Sequence, residues 1–109
     1  AIRRQRQMCI RDSGKGYRVY HYNRAEGSRD FEFFNSELDT GASFTSEGHG
    51  THTRESVLVT AGELVLVLET VEYVMAEGDF IQFDSSRPHT YINRGEVMTV
   101  FTNIVYYEG

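Results

Sequence analysis

Gly78-Asp79-Phe80-Ile81-Gln82-Phe83-Asp84-Ser85-Ser86-Arg87-Pro88-His89-Thr90-Tyr91-Ile92-Asn93 is the stretch that decides the fold. Gly78-Asp79 is a turn signal and opens a short apolar strand. A polar loop ending in Pro88 follows, and a second strand starts at His89. Strand side chains alternate faces, so residues 89, 91 and 93 share one side and 90 and 92 the other. With the first set facing a barrel interior, an imidazole, a phenol and an amide stand in one pocket.

Strand signals run outward from this stretch. Tyr17–Tyr22, Asp30–Leu38, Ser56–Thr60, Leu64–Glu69, Val71–Met75, Asp79–Phe83, His89–Asn93 and Val97–Tyr107 are rich in Val, Ile, Phe, Tyr and Thr. Glycines punctuate them, and no segment shows a helical period. Short strands at near-regular spacing predict an all-β sandwich or barrel. Leu64–Leu68 and Val100–Tyr107 are apolar at both parities. A two-layer barrel buries only one face, so the other needs a cover. A homodimer is expected on this ground.

The chain has 109 residues, enough for one domain with its own core. The composition is globular, with seven Tyr and seven Phe. Cys9 is the only cysteine, which excludes an intrachain disulfide and suits a reducing compartment. No apolar run reaches membrane-span length, and a cytoplasmic protein is expected. Net charge is −5, but residues 1–14 hold four arginines against one aspartate. The remaining residues carry a net −8, a surface unsuited to nucleic acid. Arg3–Ser13 resembles a translated sequencing-adapter tail. Residues 1–14 are therefore expected to be disordered and non-native, with the domain spanning 15–109.

Another motif lies upstream of the Gly78–Asn93 stretch. Gly48-His49-Gly50-Thr51-His52-Thr53-Arg54-Glu55 leads into Ser56–Gly62, with six residues between Glu55 and Gly62. Together the two stretches resemble the paired motifs of the cupin superfamily, over residues 17–107. The resemblance implies a double-stranded β-helix, the small jelly-roll barrel. His49, Glu55 and Gly62 match the first motif, and Gly78, His89 and Asn93 the second. The departures are Thr51 for the first motif's second histidine, Asp84 for a proline and Ser86 for a glycine.

His49, Thr51, Glu55, His89 and Tyr91 are the candidate ligand-binding residues. His49, Glu55 and His89 also form a two-imidazole, one-carboxylate set of the kind that holds Fe, Mn, Ni or Zn. Without the second histidine, the same groups make a metal-free polar pocket. His52 has the opposite parity, and surface or satisfied roles fit it and His21 better than ligation. Asn93 suits a turn-fixing role better than a catalytic one. Tyr106, like Tyr91, is either a ligand donor or packing. An inward Glu55 demands a partner: His49, His89, a cation or Arg54, whose parity is outward. No nucleophile elbow, P-loop, dinucleotide-binding glycine pattern or zinc-knuckle cysteine pair occurs.

Within the superfamily, Arg87-Pro88-His89-x-Tyr91-x-Asn93 and the ending Ile104-Val105-Tyr106-Tyr107 narrow the resemblance. They are similar to the C-terminal cupin domain of bacterial XRE-type helix-turn-helix transcriptional regulators. This implies a regulatory domain that binds a small effector and acts on DNA only through a helix-turn-helix lying before residue 17. Two other functions stay open: a stand-alone metal-dependent oxygenase, isomerase or lyase, and a sugar- or small-acid-binding module with no regulatory role.

Overall fold

The computed structural model of the chain describes residues 8–12, 16–23, 31–48, 50 and 52–107. Ten strands account for its regular structure: β1 (Met8–Asp12), β2 (Tyr17–His21), β3 (Phe31–Leu38), β4 (Ser43–Ser46), β5 (Thr53–Ala61), β6 (Leu64–Leu68), β7 (Val71–Met75), β8 (Phe80–Asp84), β9 (His89–Ile92) and β10 (Thr99–Tyr107). No helix occurs among the described residues, so none there is long and apolar enough to cross a membrane. All pairings are antiparallel. One sheet runs β1-β2-β3-β10-β5-β8 and the other β4-β9-β6-β7. This is the all-β, two-sheet jelly roll that the sequence implies.

Two strands differ from expectation. Met8–Asp12, inside the segment expected to be disordered, pairs with β2 as β1. Ser43–Ser46 forms β4 against β9, with Phe44 opposite Tyr91 and Ser46 opposite His89. Its side chains are one phenyl among three hydroxyls, so neither alternation nor composition marks it as a strand.

The core lies between the sheets. Leu38, Val59, Leu64, Leu66, Met75 and Phe101 are all buried and pack with Tyr17, Phe34, Val57, Phe83, Tyr91 and Val105. Tyr17 stacks on Phe44 at 3.9 Å between ring centres, which closes one side of the barrel. Gly62 makes the β5–β6 turn with φ +77°, and a Cβ there would stand 2.7 Å from the Met98 carbonyl oxygen. Only glycine fits both restraints. Gly78 also has positive φ, but no atom lies within 4 Å of where its Cβ would be. Conformation alone calls for glycine there.

The two-sided apolar pattern resolves differently in β6 and β10. On β6, Val65 has the parity opposite to Leu64 and Leu66, yet it is 2 % exposed between Val74 and Ile92. On β10, Phe101, Asn103 and Val105 are buried, while Val100, Thr102 and Ile104 are half-buried and Tyr106 is exposed. The outer face of the larger sheet therefore keeps an apolar strip.

Candidate functional site

The polar end of the barrel is built by β5, β9, β10 and β3. On β5, inward parity buries Thr53, Glu55, Val57 and Val59 and leaves Arg54 and Leu58 exposed. On β9 it buries His89 and Tyr91. Glu55 is fully buried, and its carboxylate gathers the cluster. Tyr91 Oη donates to Glu55 Oε2 at 2.5 Å, and Asn103 Nδ2 donates to the same oxygen at 2.6 Å. These are charge-assisted distances, suited to an ionised acceptor. Ser36 Oγ in turn donates to Asn103 Oδ1 at 3.0 Å. His89 Nε2 lies 3.5 Å from Glu55 Oε1, an ion-pair spacing longer than a good hydrogen bond.

The other face of His89 is fixed by the backbone. Nδ1 is 2.8 Å from the Arg87 carbonyl, which can only accept, so Nδ1 carries the proton and Nε2 points at Glu55. Phe83 and Tyr91 meet the imidazole edge-on, at 5.1 and 5.4 Å. Burial lowers the pKa of His89, but Glu55 and the Arg87 carbonyl outweigh it and leave it above 6.5. Burial, with the Glu55 charge behind it, pushes the Tyr91 phenol well above 10, so it stays a donor. A histidine with a raised folded pKa stabilises the fold fully below pH 6.5, and that stability is lost as pH rises through the folded value. The thermal midpoint is therefore expected to fall between about pH 6 and 8, more steeply in the wild type than in His89→Gln. Melting curves across that range measure the difference. Parallel slopes would show that His89 does not hold its proton more tightly in the fold.

The β8–β9 loop shows why the motif tolerates its departures. Asp84 Oδ1 accepts from Ser86 N at 2.9 Å and from Ser86 Oγ at 2.6 Å, and the Ser86 hydroxyl, then its amide, hold the carboxyl below its ordinary range. This Asx-type turn makes the bend for which the family pattern uses proline and glycine. Ser85, also buried, donates to Thr53 Oγ1 at 3.0 Å and ties the loop to the start of β5. Asn93 fixes the far end of β9. Its Nδ2 donates to the carbonyls of Leu38 and Val97, each at 2.9 Å, and its Oδ1 accepts from Gly95 N.

Of the expected site residues, Glu55, His89 and Tyr91 come together at one end of the interior. His49 and Thr51 lie outside the described residues. Their inward parity assumed an extended chain from residue 49 to 55. Of the described residues around them, Gly48, Gly50 and His52 have positive φ, and β5 begins at Thr53. His52 is exposed, and Tyr106 is on the outer face. Asn103 and Ser36 belong to the cluster but escape a motif search. Their one signal is parity: Asn103 lies between Phe101 and Val105 on the buried side of β10.

Among the described residues, no group of three or more His, Cys, Asp or Glu side chains is placed to hold a metal ion. Glu55 and His89 are two donors of the right chemistry, but the ligand set is incomplete without a third. A shallow groove of about 590 Å³ lies nearby, lined by Val67, Glu69, Arg87, Pro88, His89 and Thr90. It opens to solvent and is bridged by the Arg87–Glu69 ion pair.

The cupin domain model matches residues 34–105, which includes every described residue of the cluster. The chain belongs to the cupin family. Among solved structures, this cupin is similar to the cupin domain of an XRE-family transcriptional regulator from Enterobacter cloacae. The TM-score is 0.81 at 22 % identity, covering 86 % of this chain and 99 % of that one. It is similar to an HTH_3-family transcriptional regulator from Vibrio cholerae at TM-score 0.80 and 22 % identity, covering 89 % of this chain and 55 % of that one. It thus spans about half of the Vibrio regulator. A cupin-superfamily sugar phosphate isomerase from Silicibacter pomeroyi also resembles it, at TM-score 0.69 and 26 % identity over 95 % of this chain and 71 % of that one. No curated protein matches the sequence.

Proposed function

We propose that this cupin is the small-molecule-binding, regulatory domain of a transcriptional regulator. The observation that carries the reading is the partnering of Glu55. Its carboxylate is held by the organic donors Tyr91 and Asn103, braced by Ser36, at the polar end of an aromatic-lined barrel. Such a cluster suits recognition of an organic effector by hydrogen bonds. The likeness to two regulator structures and the Arg87-Pro88-His89-x-Tyr91-x-Asn93 cluster support the regulatory context. DNA contacts would belong to a helix-turn-helix outside this sequence. Effector binding would act by fitting one arrangement of the assembled regulator better than another. Sequencing the gene upstream tests this. An in-frame helix-turn-helix is expected, and a start codon near residue 17 with none before it would sink the reading.

The assembly we propose is a homodimer in the cytoplasm. Leu58 pairs with Phe80 and Thr102 across the outer face of the larger sheet, with Tyr106 opposite Phe31 and Ile104 opposite Phe33. A second copy would cover this strip. Light scattering behind size exclusion is expected to give twice the 12.5 kDa chain mass. Ile104→Glu with Tyr106→Glu is expected to give the monomer. A wild-type monomer at about 100 µM would contradict this, since specific interfaces commonly hold below the micromolar range.

One observation favours the alternative, a metal-dependent enzyme. His89 gives its Nδ1 proton to a backbone carbonyl and aims Nε2 at a carboxylate, as metal-ligating histidines do. Here Glu55 and His89, completed by His49, would hold Fe, Mn, Ni or Zn, and the ion would supply Lewis-acid or redox chemistry.

A further inference from the structure

We propose that the groove on the outer face of the smaller sheet is a second ligand site, and that it takes small zwitterions of the α-amino acid type with an apolar side chain. Its recognition groups are separate from Glu55, Tyr91 and Asn103, so failure here leaves the regulatory reading standing.

Strand register places the groove. Val67 on β6 pairs with Thr90 on β9, and both have the parity opposite to buried Leu66 and Tyr91. They make a half-buried floor on the outside of the sheet. Thr45 on β4 continues the row, its hydroxyl oxygen 2.9 Å from that of Thr90. Glu69 follows β6, and Arg87 and Pro88 precede β9, so a carboxylate and a guanidinium meet at one end of the floor, 2.8 Å apart. The groove holds about 590 Å³, within the range of small-molecule sites.

The charges suit a zwitterion. Arg87 Nη1 donates to Glu69 Oε1, and among the described residues this is the one bond its guanidinium makes. The rest of the fork is open to a carboxylate. Glu69 in turn can accept from an ammonium. Both side chains are mostly exposed, so their ion pair is weak and opens readily. A lone anion or a lone cation would leave unpaired the charge it displaces, whereas a zwitterion keeps both paired. A lone anion also meets the net −8 of residues 15–109 on approach. Thr90 adds a hydroxyl, and Val67 with Pro88 gives an apolar side chain a surface to cover.

The backbone is an independent sign. Glu69 has φ +57° in the two-residue turn between Leu68 and Val71. Residues with a Cβ rarely take this conformation, and glycine is the ordinary choice in such a turn. The turn therefore does not account for a glutamate, but a carboxylate needed at the groove's edge does. Residues held in this region of backbone space gather at ligand clamps.

The test uses the full chain and three probes on one skeleton: L-leucine, isoamylamine, which lacks the carboxylate, and isocaproate, which lacks the ammonium. Each is titrated at pH 7 by calorimetry, with backbone amide shifts followed by NMR. Leucine is expected to bind in the millimolar range, as ligands of this size commonly do, with its largest shifts at Glu69, Arg87 and Thr90. Each singly charged analogue is expected to bind at least about tenfold more weakly. Glu69→Gly suits the backbone there, and Arg87→Gln changes an exposed side chain, so both are expected to keep the fold. Each is expected to weaken leucine at least about tenfold. No leucine binding, an analogue that binds as tightly as leucine, or leucine binding that neither variant weakens would overturn the assignment. Leucine shifts confined to the barrel interior would do the same. The wild-type series decides the matter even where a variant misfolds.

Discussion

Asn103→Leu is expected to lower the folding free energy by about 2–4 kcal/mol, the cost of leaving one buried polar group unsatisfied and weakening a second. Asn103 is 1 % exposed and makes two bonds that leucine cannot. The substitution strips Glu55 Oε2 of one of its two donors and leaves the Ser36 hydroxyl without its acceptor. Leucine fills nearly the same volume, so the loss is polar rather than steric. The effect depends on the carboxylate. In a Glu55→Leu background the same change is expected to cost less, with a coupling of about 1–3 kcal/mol. Urea unfolding of the four proteins in the cycle measures it. Strictly additive effects would mean that Asn103 does not hold Glu55, and the cluster would lose its centre.

Asn93→Ala is expected to be at least as damaging, at about 3 kcal/mol or more, because it unties three bonds at once. Asn93 is fully buried, and its side chain joins the carbonyls of Leu38 and Val97 to the amide of Gly95. Its own backbone pairs with Ala42 and Gly41, so one residue links the ends of β3, β9 and β10. Asn93→Asp is expected to be no rescue. The carboxylate keeps the Gly95 amide satisfied but faces two carbonyl oxygens with no proton to offer. A thermal midpoint drop of roughly 12 °C or more corresponds to this loss in a domain of this size. A drop under about 4 °C, near 1 kcal/mol on the same scale, would mean that water replaces the amide. Asn93 would then not be the tie that fixes the strand ends.

The second motif is the part of the molecule most fully legible in the sequence. Period-two alternation puts His89 and Tyr91 on one buried face, and the apolar runs give β3 and β5 to β10 within a few residues. What escapes does so for identifiable reasons. β4 carries too little apolar signal to be seen alone, and becomes a strand because β9 offers it a paired edge. Gly48 and Gly50 have positive φ and β5 begins at Thr53, so strand parity is read from Thr53 onward. Asn103 and Ser36 are ordinary residues in apolar strands. Only the pairing of β3 with β10, distant in sequence, brings them to Glu55. Local pattern thus finds the faces, while the cluster depends on which strands the fold sets side by side.

The central claim is that Glu55, His89, Tyr91 and Asn103 serve an organic ligand rather than a resident metal ion. Elemental analysis of protein purified without chelator, before and after incubation with Fe, Mn, Ni or Zn and desalting, tests it directly. Well under one ion per chain is expected in both samples, with no difference between wild type and His89→Gln. One tightly held equivalent, lost in His89→Gln and in Glu55→Gln, would contradict it and make the metal-dependent enzyme the better reading.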